Sequence, residues 1–120
     1  MIRVIYMSAV VGTMFVSSAA AATQRVWITE FAGVGAAGGG AIQIAKLPAV
    51  AKQQLDTTGG VQTSAAFNQS TKFIRVICEV QCAVRADGTA ATATDLLIPL
   101  YTAEYFGVVA GGTISVIAAP

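Results

Sequence analysis

The segment Lys72–Arg85 alternates in character along its whole length, and this period of two is the strongest constraint on how the chain folds. The residues on one side of the predicted strand are Ile74, Val76, Cys78, Val80, Cys82 and Val84. Strict alternation predicts an antiparallel strand with one buried face and one face largely towards solvent. At about 3.3 Å per residue the segment exceeds a typical strand, so we expect a bend or bulge partway along it.

Other segments show the same extended character and are separated by residues that break strands. Further strands are predicted at Arg25–Phe31, Ala41–Lys46, Thr94–Leu100, Glu104–Val109 and Thr113–Ala118. The predicted loops are Gly33–Gly40, Thr57–Gly60, Ala86–Ala90 and Gly111–Gly112. Several short strands with regular turns predict an all-β fold, a small antiparallel β-sandwich of jelly-roll-like type with an extended N-terminal arm.

Three segments carry more local expectations. Asp87–Gly88 predicts a tight turn, because Asp and Gly tolerate positive φ. Gly111–Gly112 predicts a final hairpin between the last two strands. Leu47–Leu55 is expected to form a helical turn or two at most, since Pro48 limits any helix there.

The N-terminal segment has no charged residue from Val4 to Gln24. Val4–Val16 has the length of a signal-peptide h-region, and Ala20 and Ala22 provide an A-x-A-like site. A retained apolar arm, a weak membrane anchor or a translation start at Met14 are the alternatives. We therefore divide the chain into an extension at 1–24 and a β-sandwich domain at 25–120, and expect membrane contact only if the extension is a signal or an anchor.

The composition bounds the function classes that suit this chain. Of 120 residues, 55% are hydrophobic and 11% are charged, and the formal net charge is +1. A usual charged fraction is about 25%, and both disordered and nucleic-acid-coating proteins need more charge than this chain has. Because little polar surface is left to cover a lone monomer, we expect apolar surface to be buried against another protein or a membrane.

The residue types do not predict a reaction. Histidine is absent, so the usual proton shuttle and the commonest metal ligand are missing. The carboxylates are scattered and are expected to be solvated at the surface: Glu30, Asp56, Glu79, Asp87, Asp95 and Glu104. The basic residues form no cluster. We therefore predict a protein that is not an enzyme, without catalytic, cofactor-binding or metal-binding residues, and without a nucleic acid or small-molecule substrate as partner.

The motif Gly33-Val-Gly35-Ala-Ala-Gly38 matches the G-x-G-x-x-G pattern of dinucleotide sites, with Asp56 near the position of the ribose-binding acid. That chemistry requires a helix N-terminus directed at the pyrophosphate and packed on a parallel sheet. Two further glycines, an alternating segment and then Pro48 follow the motif instead. We therefore expect a flexible glycine–alanine loop and no dinucleotide cofactor.

Cys78 and Cys82 lie four residues apart on the apolar face of the predicted strand. In an unbroken strand their Cα atoms would be about 13 Å apart, beyond disulfide reach unless the strand bulges or turns between them. No second ligand pair accompanies them, as zinc sites would need. Buried thiols are therefore the preferred interpretation.

Two surface signals are left open. Asn68-Gln-Ser70 fits the N-glycosylation acceptor pattern, which has meaning only in a eukaryotic secretory pathway. The aromatic residues Trp27, Tyr101, Tyr105 and Phe106 are candidates either for an interface or for the core.

Several strand segments resemble those of small virion-associated structural proteins of tailed bacteriophages, over about residues 23–118. The segments are Arg25–Phe31, Ser64–Asn68, Phe73–Val76, Ala91–Thr94, Glu104–Val108 and Gly112–Ile117. Members of this group begin just before the first of these segments, so residues 1–22 depart from the pattern. The resemblance implies a virion component.

From the resemblance we expect a capsid decoration, or cement, subunit that stabilises the shell by bridging coat proteins. Its partners would be the major capsid protein and copies of itself, and its location the virion capsid. Docking is expected through the 1–24 arm and the Gly33–Gly40 loop. The alternatives are a head–tail connector or tail component, and an exported bacterial binding module, periplasmic or secreted, with a cleaved signal peptide.

Overall fold

The computed structural model describes residues 23–37 and 40–120, so that residues 1–22 of the predicted extension lie outside the described residues. Within the described ranges the regular structure is β-strand, apart from one short 3-10 turn at Thr57–Gly59. The predicted all-β fold class is confirmed. In this part of the chain no helix has the length and apolar character to cross a membrane.

The first sheet has four antiparallel strands in the order β4-β1-β6-β9. These strands are β1 (Arg25–Phe31), β4 (Ala51–Asp56), β6 (Phe73–Cys78) and β9 (Glu104–Gly107). β1 and β6 are central and carry the apolar alternation that forms the inner face. The edges are β4 and β9.

The second sheet has four antiparallel strands in the order β5-β10-β7-β8. These strands are β5 (Gln62–Thr63), β7 (Cys82–Arg85), β8 (Leu96–Ile98) and β10 (Ser115–Ala118). The chain crosses between the two sheets repeatedly, as in a jelly roll, because strands adjacent in sequence often lie in opposite sheets.

A separate two-stranded ribbon, β2 (Val34–Ala37) and β3 (Gly40–Ala45), leaves the first sheet after β1. The backbone N–H of Lys46 donates to the carbonyl of Gly33 at 3.0 Å and joins the two ends of this excursion. Most of the predicted loop Gly33–Gly40 is therefore extended ribbon, and the expectation of a loop throughout it is wrong.

The hydrophobic core lies between the two sheets and takes side chains from both. Its buried members are Val26, Ile28, Phe67, Ile74, Val76, Cys78, Cys82, Val84, Ile98, Ile114 and Val116. In β6 the predicted alternation holds, since Ile74, Val76 and Cys78 are fully buried while the intervening residues are only partly so. Burial of these aliphatic side chains supplies the main favourable term in folding.

The segment Lys72–Arg85 is two strands and not one. β6 ends at Cys78 in the first sheet, and β7 begins at Cys82 in the second. The break falls at 79–81, where the backbone N–H of Glu79 still donates to the carbonyl of Arg25 at 2.9 Å. The expected bend is thus confirmed, in the form of a crossing between sheets.

Other local predictions are corrected. Leu47–Leu55 contains no helical turn, because Ala51–Asp56 pairs with β1 as an edge strand. A turn does form at the predicted final hairpin, where the N–H of Gly112 donates to the carbonyl of Val109 at 2.9 Å. However, β9 pairs with β6 while β10 pairs with β5 and β7, so no hairpin forms. Gly88 has the expected positive φ of 88°, but the loop between β7 and β8 is wide.

Candidate interaction surfaces

The outer face of the first sheet carries apolar and cationic side chains in rows that run across the strands. Trp27 lies between Gln54 and Ile77 in register. The next row along β1 places Thr29 between Lys52 of β4 and Arg75 of β6, and Tyr105 of β9 follows Arg75. The row beyond that pairs Phe31 with Phe73. These positions alternate with the core residues of the same strands, as the pleat requires.

Aromatic contacts connect these rows. The rings of Phe31 and Phe73 stack with centroids 5.1 Å apart, and Tyr105 lies 6.2 Å from Phe73 in a tilted arrangement. The guanidinium of Arg25 lies 5.3 Å from the centroid of the Trp27 ring. An exposed face of an antiparallel sheet is usually polar. Here Phe31 is buried and Phe73 is half-buried, whereas Tyr105 is exposed, so this apolar face is only partly open to solvent.

An open groove of about 490 Å³ lies on this face, beside the start of the edge strand β4. Its apolar lining includes Phe31, Leu47 and Pro48, and its cationic lining is Lys52 and Arg75. Between the two cations, Nη2 of Arg75 donates to Oγ1 of Thr29 at 3.4 Å. The groove thus combines apolar walls with positive charge.

A second exposed surface is formed by β8 and the residues that follow it, and we name Leu96, Leu97, Leu100 and Tyr101 the apolar edge. These residues are 59%, 48%, 54% and 66% exposed, respectively. β8 is an edge strand, paired with β7 on one side. Exposed apolar edges of this kind are surfaces on which another chain can dock.

The four aromatic candidates divide between surface and core. Tyr101 and Tyr105 are exposed, Trp27 is half-buried on the outer face of the first sheet, and Phe106 packs against the core. The predicted docking residues 1–22 and 38–39 lie outside the described residues. Within the predicted arm, Thr23 already contacts the domain, because its hydroxyl donates to Oε1 of Glu79 at 2.7 Å.

The expectation that the carboxylates are solvated is wrong for Glu30, which is 2% exposed. Oε1 accepts hydrogen bonds from the Thr71 hydroxyl at 2.7 Å and the Asn68 backbone N–H at 2.8 Å, and Oε2 accepts one from Nε2 of Gln53 at 2.9 Å. Burial raises the pKa of Glu30, but these hydrogen bonds together outweigh it and lower the pKa below its ordinary value. The alternation Val26, Ile28, Glu30 already placed this carboxylate on the core face.

Glu79 also accepts hydrogen bonds from other residues, and it lies where the chain crosses between the two sheets. The side chain of Arg25 donates to it at 2.9 and 3.3 Å, and the backbone N–H of Arg25 donates at 2.8 Å. The Arg25 side-chain hydrogen bond, followed by that from the Thr23 hydroxyl, lowers the pKa of Glu79 to about 2. This carboxylate therefore holds the beginning of β1 against the end of β6.

Two further carboxylates, those of Asp87 and Asp56, accept hydrogen bonds from neighbouring residues in local turns. Asp87 accepts hydrogen bonds from the Thr89 hydroxyl at 2.6 Å and from Nε of Arg85 at 2.9 Å. The Thr89 hydroxyl and then Arg85 lower the pKa of Asp87 to about 2. Asp56 accepts from the backbone N–H of Thr58 at 2.9 Å and caps the 3-10 turn. None of these contacts brings two carboxylates into a catalytic dyad.

Cys78 and Cys82 form a disulfide, and the prediction of buried free thiols is wrong. Their Cα atoms are 6.3 Å apart, because the chain turns between β6 and β7. A turn between the two cysteines was the stated exception, but buried thiols were the preferred interpretation. In the described part of the chain, no group of three or more His, Cys, Asp or Glu side chains is arranged to hold a metal ion.

The G-x-G-x-x-G motif lies at the start of a strand, and the Asn68-Gln-Ser70 motif lies in a turn. The G-x-G-x-x-G motif runs into β2, whose partner is the antiparallel strand β3, so that a strand stands where a phosphate-binding helix would begin. Asn68 accepts hydrogen bonds from the hydroxyl and backbone N–H of Ser70 at 2.8 and 2.9 Å. This turn holds the backbone that reaches Glu30.

No protein-family model, curated protein or solved structure matches this chain.

Proposed function

We propose that this protein is a non-enzymatic structural component of a bacteriophage particle, a capsid decoration subunit that bridges neighbouring coat proteins. The observation that carries the proposal is the apolar edge. Large apolar side chains stand in solvent along an edge strand, within a chain that has few charged residues. Such a surface is typical of a subunit that docks on other proteins.

The proposed mechanism is stabilisation by mass action. A subunit that binds only the assembled shell shifts the equilibrium towards that shell. Complete burial of one large aliphatic or aromatic side chain contributes about 1.5–3 kcal/mol before the cost of ordering is subtracted. The apolar edge offers Leu96, Leu97, Leu100 and Tyr101 for such burial.

The proposal is tested by quantitative mass spectrometry of purified phage particles. A copy number comparable with that of the coat protein supports decoration of the shell. A copy number that is a small fraction of it assigns the chain to the connector or the tail. If the protein is not retained on purified particles, the proposal is overturned.

An exported bacterial binding module is the second candidate, and the disulfide favours it. Disulfides form in the periplasm and outside the cell, and also persist at virion surfaces. The intact mass of the native protein separates the two candidates. A mass that lacks about the first 20 residues, as cleavage after the Ala20–Ala22 site would leave, indicates removal of a signal peptide and supports the module.

A further inference from the structure

The groove on the outer face of the first sheet holds two cations on one cross-strand row. Lys52 on β4 and Arg75 on β6 both stand in register with Thr29 on the strand between them. Two strand spacings separate their backbones, which is about 10 Å. Side chains on the same face at this separation can reach one ligand from two sides.

These cations are not neutralised within the described residues. The ion pairs found there use Arg25 with Glu79, and Arg85 with Asp87 and Asp95. The residues that line the groove include Lys52 and Arg75 and no carboxylate. Among the residues that the structure describes, Arg75 donates only to the Thr29 hydroxyl, at a long 3.4 Å, and so keeps donors for a ligand.

The residues that line the groove make a nucleic acid an unsuitable anionic ligand. Leu47 is 76% exposed and stands with Pro48 at one side, while Phe31 is buried beneath Phe73. Because Phe31 offers no open ring face, it cannot stack a nucleobase as single-stranded nucleic-acid sites do. Two cations and a net charge of +1 are also few for a polyphosphate backbone.

We propose that this groove binds a carboxylate side chain on an acidic segment of a partner protein. Arg75 and Lys52 receive the carboxylate from opposite sides, and an apolar neighbour on the partner packs against Leu47 and Pro48. A guanidinium matches the planar geometry of a carboxylate, and charge-assisted hydrogen bonds are stronger than neutral ones. The charge and shape of the groove alone favour this ligand, and the partner need not be a coat protein.

The test uses the full chain and a short labelled peptide in which glutamate alternates with leucine. Its control is the same peptide with glutamine in place of glutamate, and the measurement is fluorescence anisotropy. Trp27 is the single tryptophan and lies on the neighbouring row, so its intrinsic fluorescence reports binding at this face. We expect the acidic peptide to bind and its affinity to fall as salt is added.

The variants Lys52→Gln and Arg75→Gln each remove one charge and are expected to weaken binding at least about tenfold. The matched control is Lys72→Gln, which removes the same charge from an exposed residue that does not line the groove. It should change the affinity less than about twofold. Far-UV circular dichroism and thermal unfolding show whether each variant keeps the fold.

Five results would overturn the inference, and the first four concern binding. They are equal binding of the glutamine peptide, unchanged binding by folded Lys52→Gln and Arg75→Gln, an equal loss in Lys72→Gln, and tighter binding of an oligothymidylate through the same two residues. Concentration-dependent dimerisation that Lys52→Gln abolishes would assign the groove to a second copy of this chain, and would also overturn it. Each of these results leaves the copy number on purified particles as an independent measurement.

Discussion

The hydroxyl of Thr71 donates a hydrogen bond of 2.7 Å to Oε1 of Glu30, and both side chains are buried. The bond joins Glu30, near the end of the central strand β1, to the segment that leads into β6. Asn68 reaches the same oxygen from that segment, and Phe67 beside it enters the core. A single buried carboxylate therefore positions a long connection that has little regular structure of its own.

Replacement of this carboxylate should destabilise the protein. In Glu30→Gln, one oxygen becomes an NH₂ donor that faces the donors of Gln53, Asn68 or Thr71. We expect the free energy of unfolding to fall by about 1–3 kcal/mol, measured by urea denaturation. Glu104→Gln, at an exposed position, is the control and should change it by less than about 0.5 kcal/mol. Equal stability of Glu30→Gln and the parent would show that the network contributes nothing.

The free energy of unfolding should decrease in acid. The pKa values of Glu30, Glu79 and Asp87 are lowered in the folded protein, and those of Glu79 and Asp87 fall to about 2. A lowered folded pKa gives stability that is complete above the unfolded value and is lost as the pH falls through the folded value. The decrease is thus expected between about pH 4.5 and about pH 2.

Urea denaturation midpoints across this pH range measure the dependence. Glu79→Gln should make the curve less steep, because it removes a carboxylate that binds its proton much more weakly in the folded state than in the unfolded state. A curve that is flat for the parent protein, or the same slope in both proteins, would contradict the assignment.

Loss of the disulfide should lower stability without changing the fold. In the Cys78→Ser, Cys82→Ser double variant, the unfolded chain is no longer closed into a short loop, and the loss is about 2 kcal/mol by the chain-entropy argument. Thermal unfolding of the variant, and of the parent with and without reductant, measures this effect. Alkylation of the denatured, unreduced parent should modify neither cysteine, and modification of both would disprove the bond.

The proposed docking on phage particles should be sensitive to charge placed on the apolar edge. Leu96→Lys and Leu100→Lys put an ammonium group at exposed positions, where it costs little in the free subunit but must be desolvated in a docked one. We expect particle-bound protein to decrease at least about tenfold, measured by sedimentation and mass spectrometry. Val61→Lys, beside the opposite edge strand β5, is the control and should bind as the parent does. Unchanged retention of both leucine variants would exclude the apolar edge as the docking surface.

Much of the fold follows from local pattern. Arg25–Phe31 is a strand with the predicted bounds, and the alternation of Phe73–Cys78 identifies its buried face, because side chains of a strand point to opposite faces in turn. The same alternation places Glu30 inside, although composition favours a solvated carboxylate. The short strand Ala51–Asp56 has no strong β signal and forms because β1 offers an open edge beside it.

The sequence predicts only some of the residues that form the exposed surfaces. Low charge and high apolar content predict that some apolar surface is exposed, and Tyr101 and Tyr105 were among its candidates. The row of Lys52, Thr29 and Arg75 could not be predicted from the sequence, because these residues come from three separate segments that are aligned only by the register of the strands.

The amino-acid sequence alone was therefore enough to predict an all-β fold and its main strands, because strand periodicity is a local property. Its composition was enough to predict exposed apolar surface. The pairing of Cys78 with Cys82, the burial of Glu30 among distant donors and the cationic groove depend on which strands lie in which sheet. That assignment comes from packing two sheets around one core. A chain crossing at 79–81 and a register between β4, β1 and β6 are properties of the packed sheets, and no single segment encodes them.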